Sequence, residues 1–164
     1  MLSFVVAKSE NNIIGKAGAL PWHLPEDLKK FKEITLSGSK TMIMGRKTFE
    51  ALPKVLPGRK HIVLTSNRNF KVQDENVHVL YSIEALKPYI ESTEEYFVIG
   101  GGELFSQLLP FTQKIYLTII HQDFEGDTYM PQLDMTKWKV IDSYEGKVTE
   151  NNVYKHTYMI LNRL

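Results

Sequence analysis

Thr41-Met42-Ile43-Met44-Gly45-Arg46-Lys47-Thr48-Phe49-Glu50-Ala51-Leu52 reads as two elements joined at one glycine. Thr41 to Met44 is apolar, of strand length and without alternation, as in a strand covered on both faces. Lys47 to Leu52 has helical spacing. The next apolar run, His61 to Thr65, completes a strand–helix–strand unit, and such units build parallel sheets through right-handed crossovers.

Outward from this unit the same grammar repeats. Strand-like runs lie at Ser3–Ala7, Val77–Leu80, Tyr96–Ile99, Ile115–Ile120, Lys139–Ser143 and Tyr154–Leu161. Helical stretches at Pro25–Leu36, Ile83–Leu86 and Gly102–Leu109 separate the early ones. No helix stands between the last two runs, which are joined through Glu145-Gly146 and Glu150-Asn151-Asn152, so antiparallel pairing is expected at the sheet's end. No repeat, low-complexity segment or linker interrupts the pattern. The expectation is one α/β domain over residues 1–164, with a mostly parallel sheet.

The balance of residue types narrows the function. Hydrophobic residues are 43% and charged residues 24% of 164, a globular composition. A net charge of +1 gives no bulk field that would favour nucleic acid or a membrane surface. Any anion site must therefore come from a few placed residues. The absence of cysteine excludes disulfides and thiolate chemistry. The apolar start, Met1 to Lys8, is short and lacks a basic leader, and no apolar run has the length of a spanning helix. A cytoplasmic monomer is the expectation.

One carboxylate falls on an unexpected face. On a wheel of about 100° per residue, Leu24, Leu28, Phe31, Ile34 and Thr35 share an arc, while Glu26, Lys29, Lys30, Lys32 and Glu33 fill the opposite one. Asp27 lies between Phe31 and Ile34, the only charge in the apolar arc. A carboxylate facing low dielectric is costly without a partner and has its pKa pushed upward. It can cap the helix or pair with a buried cation. It can equally serve a cationic or amidine-like ligand group.

Three strand ends carry groups suited to phosphate. Gly45-Arg46-Lys47-Thr48 offers amides, two cations and a hydroxyl where a strand enters a helix. Leu64-Thr65-Ser66-Asn67-Arg68 offers two hydroxyls and a cation. Ile99-Gly100-Gly101-Gly102-Glu103 allows close backbone approach. Each is weak alone, but all fall at the strand ends where parallel sheets bind ligands. The spacing matches neither G-x-G-x-x-G nor G-x-x-x-x-G-K-[ST]. The histidines at 23, 61, 78, 121 and 156 show no metal-ligand spacing, no metal site is expected, and no G-x-S-x-G elbow occurs. His23 reads as a loop residue.

Leu20-Pro21-Trp22-His23-Leu24-Pro25-Glu26-Asp27-Leu28 resembles the signature block of the dihydrofolate reductases. Ile13-Ile14-Gly15, Met44 to Phe49, Leu56-Pro57-Gly58-Arg59, Val98 to Gly102 and Glu125-Gly126-Asp127-Thr128 are similar to its other blocks, in family order. The resemblance implies a central sheet of eight strands, seven parallel and one antiparallel, with four helices. It implies reduction of 7,8-dihydrofolate to tetrahydrofolate with NADPH as cofactor, and with antifolate inhibitors as further ligands.

Residue roles follow from the resemblance position by position. Asp27 bonds the pterin 2-amino group and N3, Thr118 supports that carboxylate, and Trp22 with Leu20 holds a water near the substrate. Val5, Val6, Ala7, Leu28, Phe31, Leu52, Leu56 and Ile99 are the apolar walls around the substrate, and Arg59 grips its glutamate carboxylate. Ala7, Ile13, Ile14, Gly15, Gly18, Ala19 and Leu20 meet the nicotinamide side, residues 13–20 forming a mobile loop. Gly45, Arg46, Lys47, Thr48, Leu64, Thr65, Ser66 and Asn67 serve the adenosine-phosphate side. Ile99, Gly100, Gly101, Gly102, Glu103, Leu104, Phe105 and Gln107 follow the cofactor, with a cis Gly100–Gly101 peptide. Gly18, Leu20, Phe105 and Pro53-Lys54-Val55 depart from the better-known bacterial pattern. Tyr81 stands where some members place a lysine, leaving Arg46 and Arg68 as the cations for that end. No acid follows the second strand end to accept a ribose hydroxyl, which points to NADPH over NADH. Two other readings, a same-fold NADPH reductase of a riboflavin-pathway intermediate and a non-catalytic nucleotide-binding protein, would not need the Pro-Trp block together with Arg59, or a buried Asp27.

Overall fold

The computed structural model describes residues 1–164. Its strands are β1 (Leu2–Ser9), β2 (Ile13–Gly15), β3 (Thr41–Gly45), β4 (Lys60–Leu64), β5 (Val77–Leu80), β6 (Tyr96–Gly100), β7 (Thr112–Ile120), β8 (Thr128–Tyr129), β9 (Trp138–Glu145) and β10 (His156–Arg163). Its helices are α1 (Pro25–Thr35), α2 (Arg46–Ala51), α3 (Lys87–Glu91) and α4 (Gly102–Leu108), with 3-10 turns at Ile83–Leu86 and Leu109–Phe111. No helix is long and apolar enough to cross a membrane.

Eight strands form one sheet in the order β5-β4-β3-β6-β1-β7-β10-β9. Neighbours from β5 to β7 are parallel. β10 is antiparallel to both β7 and β9, so it alone runs against the other seven. The antiparallel strand is thus slotted inside the edge rather than being the edge itself. β9 holds the margin, with only Trp138 buried.

The inner strands read as continuous apolar runs because both faces are covered. Leu2, Phe4, Ile43, Val98, Ile115 and Leu161 belong to the larger cluster, capped by Leu86, Leu104, Phe105 and Leu108. Met42, Met44, Val63 and Val77 form a second cluster under Phe31, Phe49 and Leu52. Alternate residues of β3 therefore feed opposite cores, as a two-residue side-chain period requires. Burying each such side chain is worth about 1.5–3 kcal/mol.

Two elements were not legible from periodicity. β2 and β8 pair in a separate two-stranded sheet, each too short to show a pattern. The helical stretch expected at Ile83–Leu86 is a 3-10 turn that runs on into α3.

Candidate functional site

A cleft of about 1390 Å³ opens beyond the carboxyl ends of β1, β3, β4 and β6 and under α1. That exceeds the roughly 300–1,000 Å³ of a single-ligand pocket, so two ligands can lie side by side.

Asp27 stands in one half of this cleft. The helix start is Leu24, without a side-chain cap, so Asp27 is not a capping residue. The Thr118 hydroxyl donates to Asp27 Oδ1 at 2.6 Å. Burial pushes the Asp27 carboxyl above its ordinary range, against the Thr118 bond and the charges of His156 and Lys30. The apolar arc of α1 faces the cleft rather than a closed core, which is why Leu28 is 48% exposed while Phe31 and Ile34 are half-buried beside it.

Strand register builds the floor beneath α1. Ala7 pairs with Thr118, Thr118 with Tyr158, and Tyr158 with Tyr144, a row across β1, β7, β10 and β9. Val5 and Val6 are nearly buried in the same floor, with Leu52 and Ile99 on the walls. Trp22 is buried against Phe124, ring centroids 5.1 Å apart, and its Nε1–H has no partner. A buried donor left unpaired costs free energy until something accepts from it.

A loop over this half is tied to a second loop. Ile14, Gly15, Gly18, Ala19 and Leu20 line the cleft. Lys16 and Ala19 exchange backbone bonds of 2.8 and 3.0 Å around Ala17 and Gly18, both at positive φ. Asp127 Oδ2 accepts from the Ala17 amide at 3.0 Å and Oδ1 from the Thr128 hydroxyl at 2.9 Å, which hold its carboxyl below the usual range. A Cβ on Gly126 would lie 2.6 Å from the Gly15 carbonyl. The two loops fit only with glycine between them.

The other half is polar and glycine-lined. Gly45, Arg46, Lys47 and Thr48, then Leu64, Thr65 and Ser66, then Gly100 to Phe105 and Gln107 border it. The Gly100–Gly101 peptide is cis. A Cβ on either glycine would meet Thr48 Oγ1 at 3.6 Å, an ordinary contact; what favours glycine at Gly100 is its positive φ of 132°. Arg46 pairs with Glu50 at 3.3 Å but stays 38% exposed. Tyr81 lines the same end, with the exposed Arg68 guanidinium 5.6 Å from its ring centroid but off the cleft lining. Phe105 is buried on Phe4, ring centroids 4.7 Å apart, at the wall of the cleft.

Four expected site residues lie off the cleft lining. Ile13 is 1% exposed and anchors β2 in the core. Asn67 shapes a turn, its amide bonded to Thr65 Oγ1 and its Oδ1 to the Asn69 amide. Leu56 packs into the second cluster. Arg59 is 5% exposed, its Nη1 donating to Thr35 Oγ1 at 3.0 Å and its Nε to the Pro57 carbonyl at 3.2 Å. Its guanidinium has no carboxylate within 4.0 Å, and burial lowers its affinity for the proton.

The structure also adds residues. Lys30, assigned to the solvent face by the wheel, lines the cleft beside Tyr144 and Tyr158. His23 is exposed at the rim, as a loop residue should be. The lining role of Tyr158 followed only from its register opposite Thr118.

The family model for dihydrofolate reductase matches residues 1–163. A dihydrofolate reductase of Bacillus subtilis (strain 168) is 42% identical over 160 residues, covering 98% of this chain and 93% of its own. One of Staphylococcus aureus is 41% identical over 162 residues, covering 99% and 98%. A solved structure described as dihydrofolate reductase from Enterococcus faecalis complexed with NADP(H) and RAB-propyl superimposes with a TM-score of 0.89 at 40% identity, covering 99% of this chain and 96% of that one.

Proposed function

The chain belongs to the dihydrofolate reductase family, and from that premise we propose that it reduces 7,8-dihydrofolate to 5,6,7,8-tetrahydrofolate with NADPH. The observation that carries the reading is Asp27, a carboxylate in an apolar cleft wall with one oxygen bonded by Thr118 and the other free for a ligand.

The residues present fit the cofactor. Arg46, Lys47, Thr48, Thr65 and Ser66 give cations and hydroxyls at one end of the cleft, and the glycines Gly100 and Gly101 border it beside them. These residues would hold the phosphates, while Ala7, Ile14 and Leu20 would border the nicotinamide. When bound, NADPH supplies the hydride.

The chain's own residues do the rest. Asp27 takes the 2-amino group and N3 of the dihydropterin in charge-assisted bonds and raises the proton affinity of the ring. Its carboxylate does not reach N5, so a water on the free Trp22 Nε1–H, beneath Leu20, brings the proton there. The loop carrying Leu20, pinned by Asp127, excludes bulk solvent. Arg59 is a buried cation with neutral acceptors only, a costly state that the substrate's glutamate carboxylate would relieve. The roles assigned above need no residue from a second chain, and the reading extends to a monomer acting in the cytoplasm.

The test is NADPH consumption by purified protein with and without dihydrofolate. Dihydrofolate-dependent oxidation is expected in the wild type and is largely lost at neutral pH in Asp27→Asn. No dihydrofolate dependence would overturn the reading.

A further inference from the structure

Lys30 is three residues after Asp27, on the same side of α1. The helix crosses the row Thr118–Tyr158–Tyr144, so Asp27 meets Thr118 and Lys30 meets the two tyrosines. The Lys30 ammonium stands 4.5 Å from the Tyr144 ring centroid and 4.6 Å from that of Tyr158, and it donates to the Tyr144 hydroxyl. The rings lie 5.2 Å apart. The ammonium is held by the Tyr144 hydroxyl and by its approach to the Tyr158 ring, and loses the freedom of an ordinary surface lysine. We infer that Lys30 is a positioning residue acting through the substrate-binding carboxylate of Asp27: its charge tunes the pH range over which Asp27 and the bound dihydropterin carry their proton. The inference rests on the role proposed for Asp27.

The neighbouring charges are few. On α1 the other one is Glu26, which is exposed. On β10, Tyr158 faces Asp27, and its phenol is pushed upward by burial and by that charge, so it stays neutral. His156, also on β10, donates from Nδ1 to the Tyr154 carbonyl at 2.7 Å, while its Nε2 has no partner. Its ring sits where a Cβ on Gly146 would overlap it. On β9 stand Tyr144 and, one pleat along, Asp142. On β7, Tyr116 is engaged elsewhere, donating to Glu95 at 2.9 Å. At the rim is exposed His23. Burial raises the Asp27 carboxyl; the Thr118 bond, the His156 charge and then Lys30, the one ammonium among these groups, favour its ionised form. The same cation opposes protonation of the pterin ring. Removing it moves both equilibria in one direction, toward protonation at higher pH.

The experiment compares wild type, Lys30→Met and Lys30→Arg. The Asp27 carboxyl is followed by carbon NMR in aspartate-labelled protein, assigned with Asp27→Asn, and hydride transfer is followed in single turnovers against pH. In Lys30→Met the Asp27 titration moves to higher pH. Above the wild-type midpoint this variant keeps about two- to fivefold more of its maximal rate, the range one half-exposed charge pair delivers. Lys30→Arg, which keeps the charge and the ring contact, follows the wild type. Superimposed titrations of wild type and Lys30→Met overturn the inference. So does an equal shift in Met and Arg variants, which would make the role one of packing. Absence of dihydrofolate-dependent turnover in the wild type would refute the proposed function instead, and the carboxyl titration would still decide Lys30.

Discussion

Replacing Thr118 by valine removes one hydroxyl and little else. Thr118 is 6% exposed and its Oγ1 lies 2.6 Å from Asp27 Oδ1, a short charge-assisted bond. Valine keeps the branched shape and the strand preference but leaves that carboxylate oxygen unpaired. A bond to a charged group is worth about 1.5–3 kcal/mol. At about 1.4 kcal/mol per tenfold, ligands that need ionised Asp27 should bind roughly ten- to a hundredfold more weakly. NADPH, in the other half of the cleft, should bind unchanged. Calorimetric titration with dihydrofolate, a diaminopyrimidine antifolate and NADPH separates these outcomes, and Thr118→Ser should recover most of the loss. Stability gives a second readout. Asp27 sits above its ordinary range when folded, so its contribution is fully present below the unfolded carboxylate value and is lost as pH rises through the folded one. Thr118→Val raises the folded value further, so the variant should be less stable than wild type at neutral pH. That gap should narrow as acid protonates Asp27 in both. Unchanged antifolate affinity together with a pH-independent stability difference would refute the reasoning.

Asp27→Asn should unfold no more easily than wild type at neutral pH, because it removes a charge whose burial is unfavourable, yet lose most turnover; near-normal neutral activity would sink its assignment. Wild-type turnover should fall as pH rises and the site loses its proton, which a stopped-flow pH series checks. Arg59→Lys should raise the KM for dihydrofolate by about tenfold or more, since Lys lacks the planar fork and charged hydrogen bonds are each worth about 1.5–3 kcal/mol. Analogues without the glutamate should be almost indifferent, and equal losses for both would mark Arg59 as structural. Arg46→Ala with Ser66→Ala should erode NADPH affinity strongly and NADH affinity little, and salt should reproduce part of the effect by screening. A wild type that binds both cofactors equally would remove the basis for a phosphate pocket there.

Much of this molecule is written in local patterns. The apolar runs of β1, β3, β4, β6 and β7 announced buried parallel strands, because a strand covered on both faces has no polar side to alternate. The wheel singled out Asp27 because helical period is a property of the segment alone. Glycines at strand ends located the polar half of the cleft for the same local reason.

What stayed hidden depends on which surfaces meet. The wheel fixed the angle of Lys30 but not what lay opposite it; polarity sent it to solvent, and only the register of β7, β10 and β9 placed two tyrosines against it. Arg59 read as a cleft residue, yet its long side chain turned in to Thr35, 24 positions away. The bond from the Ala17 amide to Asp127 spans 110 positions and joins segments with no period of their own. Secondary structure follows from spacing because its hydrogen bonds and side-chain faces are set within a few residues. The partners of a charge at a site are set by tertiary packing, which brings distant segments together and decides where water is removed.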